Sequence, residues 1–398
     1  MQEALLKIKE ELRAELTGNI LPFWMEKMTD DARGGFYGRR TGTGALVSEA
    51  PKGAILNARI LWTFSSAALH LKDHRYRAYA ERARDFIFQY FFDKDFGGTF
   101  WMLQADGSAS NLKKQIYSQA FFIYALVEYY RLTGDPACLN KAKELFRLIE
   151  LHSFDSVQNG YLEAFDRSWG LLKDLRLSEK DANEKKTMNT HLHILEAYTN
   201  LYRVWRDEGL KAQLKNLIGL FLERIINPQT HHLNLFFDED WTCKSTMVSY
   251  GHDIEASWLL DEAAVVLGDE ELLQSVQAES MRIAEAVREG LQPDGSLVNE
   301  RDTATGHVDR NHEWWPQAEA MVGFWNAWMI SGDARWTKRA LNSWTFIQQK
   351  LIDRENGEWF WAVFENGMPD RDHDKAGFWK CPYHNSRMCL EMLERMNP

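Results

Sequence analysis

The residues of this chain best suited to chemistry are histidines with acidic neighbours at helical spacing. His252 and Glu255 are three residues apart, so on a helix they share one face and the carboxylate could orient the imidazole. His384 follows Pro382 and opens a second helix-like segment. Histidine has a pKa near neutrality and can both accept and donate a proton. Two converging imidazoles therefore predict acid–base catalysis.

A second group of residues also has types and spacings that suit a functional site. His191 and His193 are two residues apart and point in different directions on a helix, so only one of them can face a cavity. Trp315 and Glu319 are four apart and share a face. Arg59 lies among apolar neighbours, and its guanidinium requires a partner, either a structural carboxylate or a substrate oxygen.

Several other chemistries are disfavoured by the sequence. It contains no P-loop, no dinucleotide fingerprint and no G-x-S-x-G elbow. A metal held by His193, His252, Glu255 and His384 is conceivable, but the H-x-x-x-H and H-E-x-x-H spacings are missing. The four cysteines include no C-x-x-C pair. The sequence therefore predicts a reaction without a metal or another cofactor.

An internal repeat predicts the elements that position these residues. Short segments led by glycine or a turn residue and rich in aromatic residues recur six times, at intervals of 62 to 72 residues. They lie around positions 35, 98, 160, 232, 295 and 357. Each is typical of a turn followed by a short strand, since glycine permits a positive φ and aromatic residues favour strands.

Helix-periodic stretches fill each period between these turns. An amphipathic, charged set predicts outer helices over 76–92, 137–152, 210–226, 270–289 and 334–351. A less charged set predicts buried inner helices over 55–69, 118–132, 190–202, 254–267, 316–330 and 386–396. Two helices in each of six periods predict an all-α (α/α)6 barrel of twelve helices, with short β-hairpin segments in its loops. No linker interrupts the pattern, so we expect a single domain over residues 1–398.

In such a barrel the inner-helix N-termini converge at one mouth, where a concave polar site is expected. Helix N-termini present free N–H groups and a partial positive charge, which suit a developing anion. Polar or aromatic residues stand at all six predicted starts: Asn57 to Arg59, Tyr117 to Gln119, Asn189 to His193, His252 to Glu255, Trp314 to Glu319 and Tyr383 to Asn385.

Composition narrows the class of ligand. A formal net charge of −11 disfavours nucleic acid and anionic membranes as partners. The 16 tryptophans favour a neutral sugar, because indole rings stack on the apolar faces of sugar rings. The charged N-terminal segment and the absence of a long apolar run predict a cytoplasmic protein with no membrane association. We expect a monomer or a weak homodimer.

Five stretches resemble a known family. They are EAPKGAILNARILW at 49–62, MNTHLH at 188–193, GHDIEASW at 251–258, WWPQAE at 314–319, and FWK at 378–380 with PYHN at 382–385. Together they resemble the N-acylglucosamine 2-epimerase superfamily, and the first stretch resembles its cellobiose 2-epimerases. The resemblance extends from about residue 10 to the C-terminus and also implies the (α/α)6 barrel.

The resemblance implies a role for each candidate residue. His252 and His384 match two histidines that flank C2 of an opened reducing-end sugar. His193 matches a histidine associated with ring opening, and Arg59 an arginine at the carbonyl and C2 oxygens. The remaining matches line the substrate pocket: Tyr117, Asn189, Glu255 and Glu319 as polar contacts, and Trp315 and Trp379 as aromatic walls.

The implied reaction is reversible C2 epimerisation of the reducing-end glucose in β-1,4-linked disaccharides such as cellobiose and lactose. The ring opens, one histidine removes the C2 proton, and the second histidine protonates the resulting enediolate after a rotation. Alternatives on the same fold are an N-acylglucosamine 2-epimerase and a mannose or other aldose–ketose isomerase. More remote are a glycoside hydrolase using Glu255 and Glu319 and a non-catalytic sugar-binding protein.

Overall fold

The computed structural model of the protein describes residues 2–396, and its α-helices form two concentric rings. In chain order they are α1 (Gln2–Glu15), α2 (Leu21–Lys27), α3 (Ala54–Leu71), α4 (His74–Phe86), α5 (Ile116–Thr133), α6 (Pro136–His152), α7 (Met188–Val204), α8 (Glu208–Leu220), α9 (Tyr250–Leu267), α10 (Glu270–Ala286), α11 (Trp314–Ser331), α12 (Ala334–Phe346) and α13 (Tyr383–Arg395). None of these helices is long and apolar enough to cross a membrane.

The odd-numbered helices from α3 to α13 form the inner ring. Each packs on the next, and α13 packs on α3 to close the ring. A π-helical turn, Leu16–Ile20, joins α1 to α2, so these two act as one outer helix. The inner helices are buried on nearly all faces, whereas the outer helices bury one stripe. The predicted (α/α)6 barrel of twelve helices is confirmed.

Tight turns connect most inner helices to the outer helices that follow. A residue in the left-handed conformation ends the inner helix, and the next residue is an aspartate that caps the outer one. The left-handed residues are Lys72, Gly134, Gly268 and Gly332, and the capping aspartates are Asp73, Asp135, Asp269 and Asp333. By contrast, five of the six inner helices begin without a side-chain cap, and only Thr187 caps α7.

The predicted outer helices include the distorted final turns of the observed ones. The π-helical turns Ile87–Phe91, Phe221–Ile225 and Ile347–Leu351 follow α4, α8 and α12, and a 3₁₀ turn, Val287–Glu289, follows α10. The observed inner helices begin one to four residues before the predicted ones. In five of them, a short strand leads directly into the helix.

The short strands are β1 (Lys52–Gly53), β2 (Met102–Leu103), β3 (Ala109–Asn111), β4 (Lys114–Gln115), β5 (Ala164–Phe165), β6 (Lys186–Thr187), β7 (Phe236–Phe237), β8 (Met247–Ser249), β9 (Glu300–Asp302), β10 (Val308–Asp309), β11 (His312–Glu313) and β12 (Ala362–Val363). All pairs are antiparallel, in the groups β1–β2–β3, β4–β5, β6–β7, β8–β9–β10 and β11–β12. Lys52 lies opposite Leu103, for example.

In each of the five groups, one pairing joins the strand before an inner helix to the chain that follows the turn of the next repeat. The bridge between Arg40 and Ala376 closes this circle. The six predicted turn segments form single bridges, at Phe36, Thr99, Tyr161, Leu233, Leu297 and Trp359, because the chain then leaves to pair with its neighbour. The result is a rim of strands around the inner-helix N-termini, where the candidate residues lie.

Candidate active site

One register of the inner helices supplies the residues around the barrel axis. The sixth residue of α3, α5, α7, α9 and α11, and the fifth of α13, occupy equivalent positions. They are Arg59, Phe121, His193, Glu255, Glu319 and Arg387. All six are buried. Four of them are predicted site residues, and each comes from a different repeat.

A second register, two residues earlier, has a structural task. The fourth residues of α5, α7, α9 and α11 each accept a hydrogen bond from the backbone N–H of the bridging turn residue. The pairs are Gln119 with Thr99 at 2.8 Å, His191 with Tyr161 at 2.9 Å, Asp253 with Leu233 at 2.8 Å and Gln317 with Leu297 at 2.7 Å. The polar residues at the helix starts therefore divide into links to the turns and groups that surround the axis. His191 belongs to the first kind.

His252 lies on the first turn of α9 beside an indole. Its ring centroid is 4.6 Å from that of Trp315. Gly251 permits this contact, because a Cβ at that position would lie 2.5 Å from the Trp315 ring. The prediction that Glu255 orients His252 is wrong. His252 Nδ1 instead shares a hydrogen bond with Ser249 Oγ at 2.9 Å, and Glu255 binds Arg387.

His384 forms a buried imidazole–carboxylate pair. Its Nδ1 lies 2.7 Å from Glu319 Oε1, and its ring is 5.6 Å from that of Trp315. The other carboxylate oxygen of Glu319 accepts a hydrogen bond from Trp258 Nε1 at 3.0 Å. A neutral His384 that donates from Nδ1 leaves Nε2 as its basic nitrogen. Trp315 thus contacts both His252 and His384.

His193 forms a second pair of the same kind. Its Nδ1 lies 2.9 Å from Glu196 Oε2, one helical turn along α7. Its ring lies 4.9 Å from the ring of Tyr117 and 4.7 Å from that of Phe121. Two aromatic rings and a carboxylate thus fix the orientation of His193.

Arg59 is a buried cation whose positive charge is offset by few neighbouring groups. It donates to the Tyr117 hydroxyl at 2.9 Å and approaches Cys381 Sγ at 3.9 Å. Its guanidinium carbon lies 4.3 Å from the Phe121 ring centroid and 4.8 Å from that of Tyr383. Its Nε is buried without a hydrogen-bond partner within residues 2–396, and no carboxylate of that range forms an ion pair with it. Of its two expected partners, a structural carboxylate is therefore ruled out among the described residues.

The remaining candidates lie in the first turn of an inner helix or shortly before one. Trp379 is half-buried and makes edge contacts with Trp101 and Tyr117, each at 6.0 Å. The indole of Trp315 donates to Glu313 at 3.1 Å. Asn189 has a buried Oδ1 with no partner among the described residues.

Arg387 and Glu196 are missing from the residues predicted from the sequence. Arg387 is fully buried and donates to three carboxylates, those of Glu196, Glu255 and Glu319. The repeat contains a signal for it, because Arg387 occupies the register of Arg59 and Glu255. Glu196 lies three residues after His193, a spacing that places both on one helix face.

The surroundings shift the titration of the central groups. Burial lowers the pKa of His252 to about 3, and His193 and Arg59 add to the effect. Burial, Arg59 and Arg387 hold the pKa of His384 well below its ordinary value. Both imidazoles are therefore neutral at pH 7 and can accept a proton. Burial and Glu319 raise the pKa of Glu255 to about 7, against the opposing effect of Arg387.

Within the described residues, one group of side chains has donor atoms close enough to share a cation. Glu255, Glu319 and His384 place three such atoms within 4.8 Å of one another. Nη2 of Arg387 already lies 2.5 Å from Glu255 and 2.7 Å from Glu319. A guanidinium thus binds these carboxylates, and the geometry is that of an arginine–carboxylate cluster.

Comparisons with known proteins agree with this architecture. The family model for N-acylglucosamine 2-epimerase matches residues 35–386. A cellobiose 2-epimerase of Bacteroides fragilis is 54% identical over 97% of this chain and 98% of its own length. The solved structure of a cellobiose 2-epimerase from Bacillus thermoamylovorans B4167 is 43% identical, with a TM-score of 0.94 over 98% of this chain and 99% of that one.

A more distant structure shares the fold alone. A D-mannose isomerase is 18% identical and superposes with a TM-score of 0.84 over 97% of both chains. The close relatives match nearly the whole chain, including every helix that contributes to the ring of axial residues. The chain belongs to the N-acylglucosamine 2-epimerase family and, within it, to the cellobiose 2-epimerases.

Proposed function

We propose that the protein epimerises C2 of the reducing-end glucose of β-1,4-linked disaccharides, converting cellobiose to glucosyl-mannose and lactose to epilactose. The observation that carries this proposal is a pair of neutral imidazoles, the half-buried His252 and the buried His384, in contact with one indole. Beside them lies a guanidinium, that of Arg59, which has no carboxylate partner among the described residues. A C2 proton becomes acidic only next to a carbonyl, so the sugar ring must open first. His193 is placed to assist that step, since Glu196 orients its Nδ1.

His252 and His384 are the two proton carriers in this proposal. One neutral imidazole removes the C2 proton and becomes an imidazolium, which later releases that proton to solvent. The other imidazole takes up a proton from solvent and delivers it to the opposite face of C2, as inversion requires. The enediolate formed between these steps is an anion. Arg59 stabilises it, because a desolvated and unpaired guanidinium exerts a stronger field than one that is paired or hydrated. Tyr117 holds the Arg59 side chain in place.

The preference for a disaccharide rests on the aromatic residues Trp379 and Trp101 and on the names of the similar proteins. Trp379, supported by Trp101, offers a half-exposed indole on which a second sugar ring can stack. Relatives named cellobiose 2-epimerase reach 54% identity, whereas the N-acylglucosamine 2-epimerases of Bos taurus and Homo sapiens are 24% identical. Asn189 and the unpaired Nε of Arg59 supply polar contacts to the reducing-end sugar.

Hydrolysis fits this site poorly. A glycosidase needs two carboxyl groups on opposite sides of the scissile bond. Glu255 and Glu319 instead converge on the same nitrogen of Arg387, and the two neutral imidazoles would have no task.

The proposed function also includes the cofactor requirement, the oligomeric state and the cellular location. Two imidazoles and a guanidinium supply base, acid and charge stabilisation, so the chemistry needs neither a metal nor another cofactor. All the groups come from one chain, which suits a monomer or a weak homodimer. Closure of the ring by α13 on α3 supports one domain over residues 1–398. The free thiols of Cys138, Cys243, Cys381 and Cys389 fit the reducing cytoplasm.

The test is a proton NMR time course of EDTA-treated protein with cellobiose in deuterated water. The proposal predicts a new glucosyl-mannose anomeric signal and deuterium at C2. A ketose product would reassign the reaction to an isomerase, and turnover of N-acetylglucosamine or mannose alone would contradict the disaccharide preference. Release of free glucose would contradict the proposal altogether.

A further inference from the structure

Arg387 connects the two histidine–glutamate pairs through one guanidinium. Its Nη1 donates to Glu196 Oε1, and the other oxygen of that carboxylate binds His193. Its Nη2 donates to Glu319 Oε1 at 2.7 Å, the same oxygen that lies 2.7 Å from His384 Nδ1. The result is a continuous hydrogen-bonded chain from α7 through α13 to α11.

The surroundings of Arg387 fix this geometry. The side chain has 0% exposure, so it does not reach the open cavity. Its guanidinium carbon lies 4.3 Å from the ring centroid of Tyr383 and 4.8 Å from that of Trp258. Tyr383 and Trp258 also donate to the carboxylates of Glu196 and Glu319. The carboxylates of Glu196 and Glu319 therefore each accept hydrogen bonds from Arg387 and from one aromatic side chain.

We propose that Arg387 is a positioning residue: by holding Glu196 and Glu319 on one planar guanidinium, it fixes the orientation of His193 and His384 relative to each other. It acts through the carboxylates and does not touch the sugar. The inference rests on the proposed function for its effect on turnover, and on the geometry alone for its effect on the imidazoles. Arginine suits this task because its donors diverge in one plane, whereas the compact ammonium of lysine cannot span three carboxylates.

The charge of Arg387 also bears on His384. The titratable and charged groups that face His384 come from α3, α7, α9, α11 and its own helix: Arg59, His193, His252, Glu255, Glu319 and Arg387. Burial and the cations among these groups lower the pKa of His384. Loss of the Arg387 charge raises that pKa, so the acid limb of kcat/KM moves to higher pH.

Arg387→Lys changes the positions of the hydrogen-bond donors but keeps the positive charge, so it tests the two contributions separately. We expect kcat to fall about 10- to 100-fold while KM for cellobiose changes less than about threefold, because the interaction lost orients groups rather than binding substrate. The acid limb stays in place, since the charge remains. Arg387→Gln, if it folds, moves that limb upward by about one pH unit. Should Arg387→Gln fail to fold, Arg387→Lys alone decides the question.

Arg395→Met is the matched control. Arg395 lies two turns further along α13 and contacts the same Trp258 ring at 5.4 Å, but it pairs with Glu391 and Asn326. Its loss should lower the melting temperature and leave kcat and the pH profile of the wild-type protein unchanged.

A readout without substrate separates this inference from the proposed function. The Nδ1–H protons of His193 and His384, each bound to a buried carboxylate, should give protected downfield imidazole signals in wild type and Arg395→Met. Arg387→Lys should broaden or lose both signals, even if no sugar proves to be a substrate. The inference is overturned if Arg387→Lys keeps both signals and a kcat within about threefold of wild type, or if Arg395→Met shows the same losses.

Discussion

Two sets of buried charges in this barrel differ in balance and in task. The first set, the lysine–aspartate pairs, lies in the turns: Lys52–Asp30 at 2.8 Å, Lys114–Asp93 at 2.9 Å, Lys186–Asp155 at 2.7 Å and Lys375–Asp353 at 2.6 Å. The second set, the Arg387 cluster, lies on the axis and comprises Arg387, Glu196, Glu255 and Glu319.

The two sets differ in the number of carboxylates that share each cation. Every buried cation of the first set has a carboxylate partner, and three of its lysines also donate to turn carbonyls, those of Gly34, Asn159 and Gly357. Such pairs can remain fixed in one protonation state. In the Arg387 cluster three carboxylates share one guanidinium, so one of them is poised to hold a proton near neutral pH. Balanced pairs serve the fold, and the unbalanced cluster serves the histidines.

The sharpest way to test this division is to remove a proton carrier that belongs to neither set. His252→Asn should lower kcat about 10²- to 10⁴-fold, because the remaining imidazole cannot serve both faces of C2. The fold should persist, since His252 is half-buried and bonds only Ser249 among the described residues. Steady-state kinetics with cellobiose and a thermal melt measure the two effects. A modest loss of turnover would place the chemistry elsewhere.

Breaking a lysine–aspartate pair should lower stability and leave turnover almost unchanged. Lys52→Met leaves the carboxylate of Asp30 buried and unpaired, which costs about 3–5 kcal/mol of unfolding free energy. kcat at a temperature where the variant is folded should remain near that of wild type. In the double variant Asp30→Leu with Lys52→Met, most of the stability should return, because no charge is left buried. Denaturant unfolding of the three proteins checks this, and a double variant as unstable as Lys52→Met would contradict it.

Glu255→Gln tests the imbalance of the Arg387 cluster. Glu255 has a pKa raised from 4.5 to about 7, so the folded protein keeps a proton that the unfolded chain releases from pH 4.5 upward. The wild type therefore loses stability as pH rises between those values, by about 3 kcal/mol at most. Glutamine does not titrate, and the melting temperature of the variant relative to wild type should rise from pH 5 to pH 8. An equal difference at both pH values would contradict the assignment.

The smallest effect is expected at His191, two residues from His193. Glutamine performs the same link to the turn at positions 119 and 317. His191→Gln should therefore change the unfolding free energy by no more than about 1 kcal/mol and leave kcat unaffected. His193→Gln is the matched variant and should lower kcat about 10- to 100-fold. If His191→Gln lost activity to the same extent, the separation of the two registers would be wrong.

The fold follows from the sequence because its signal is repeated. Six turn segments and alternating charged and apolar helices determine the number of helices, and the aspartate caps of the outer helices recur with the same period. Five of the predicted inner helices begin too late, because the strands of two or three residues before them have no alternating pattern that could distinguish them from a helix.

The site is only partly predictable for a similar reason. Spacing along one helix detects pairs within that helix, but it misassigned Glu255 to His252. The actual partners are cross-barrel: Glu319 for His384, and Arg387 for three helices at once. Such contacts depend on how the helices are rotated about their own axes. The register of Arg59, His193, Glu255 and Glu319 would have identified Arg387 once the repeat was aligned from the strand ends.

The most direct test of the two-histidine account is hydrogen exchange at C2 in deuterated water, measured separately from cellobiose and from glucosyl-mannose. With one proton carrier removed, the other can still exchange the proton that faces it without inverting the centre. His252→Asn should then exchange C2 in only one of the two epimers, and His384→Asn only in the other. Exchange in both epimers by either variant, or its complete loss in one variant and full retention in the other, would contradict catalysis by two opposed histidines.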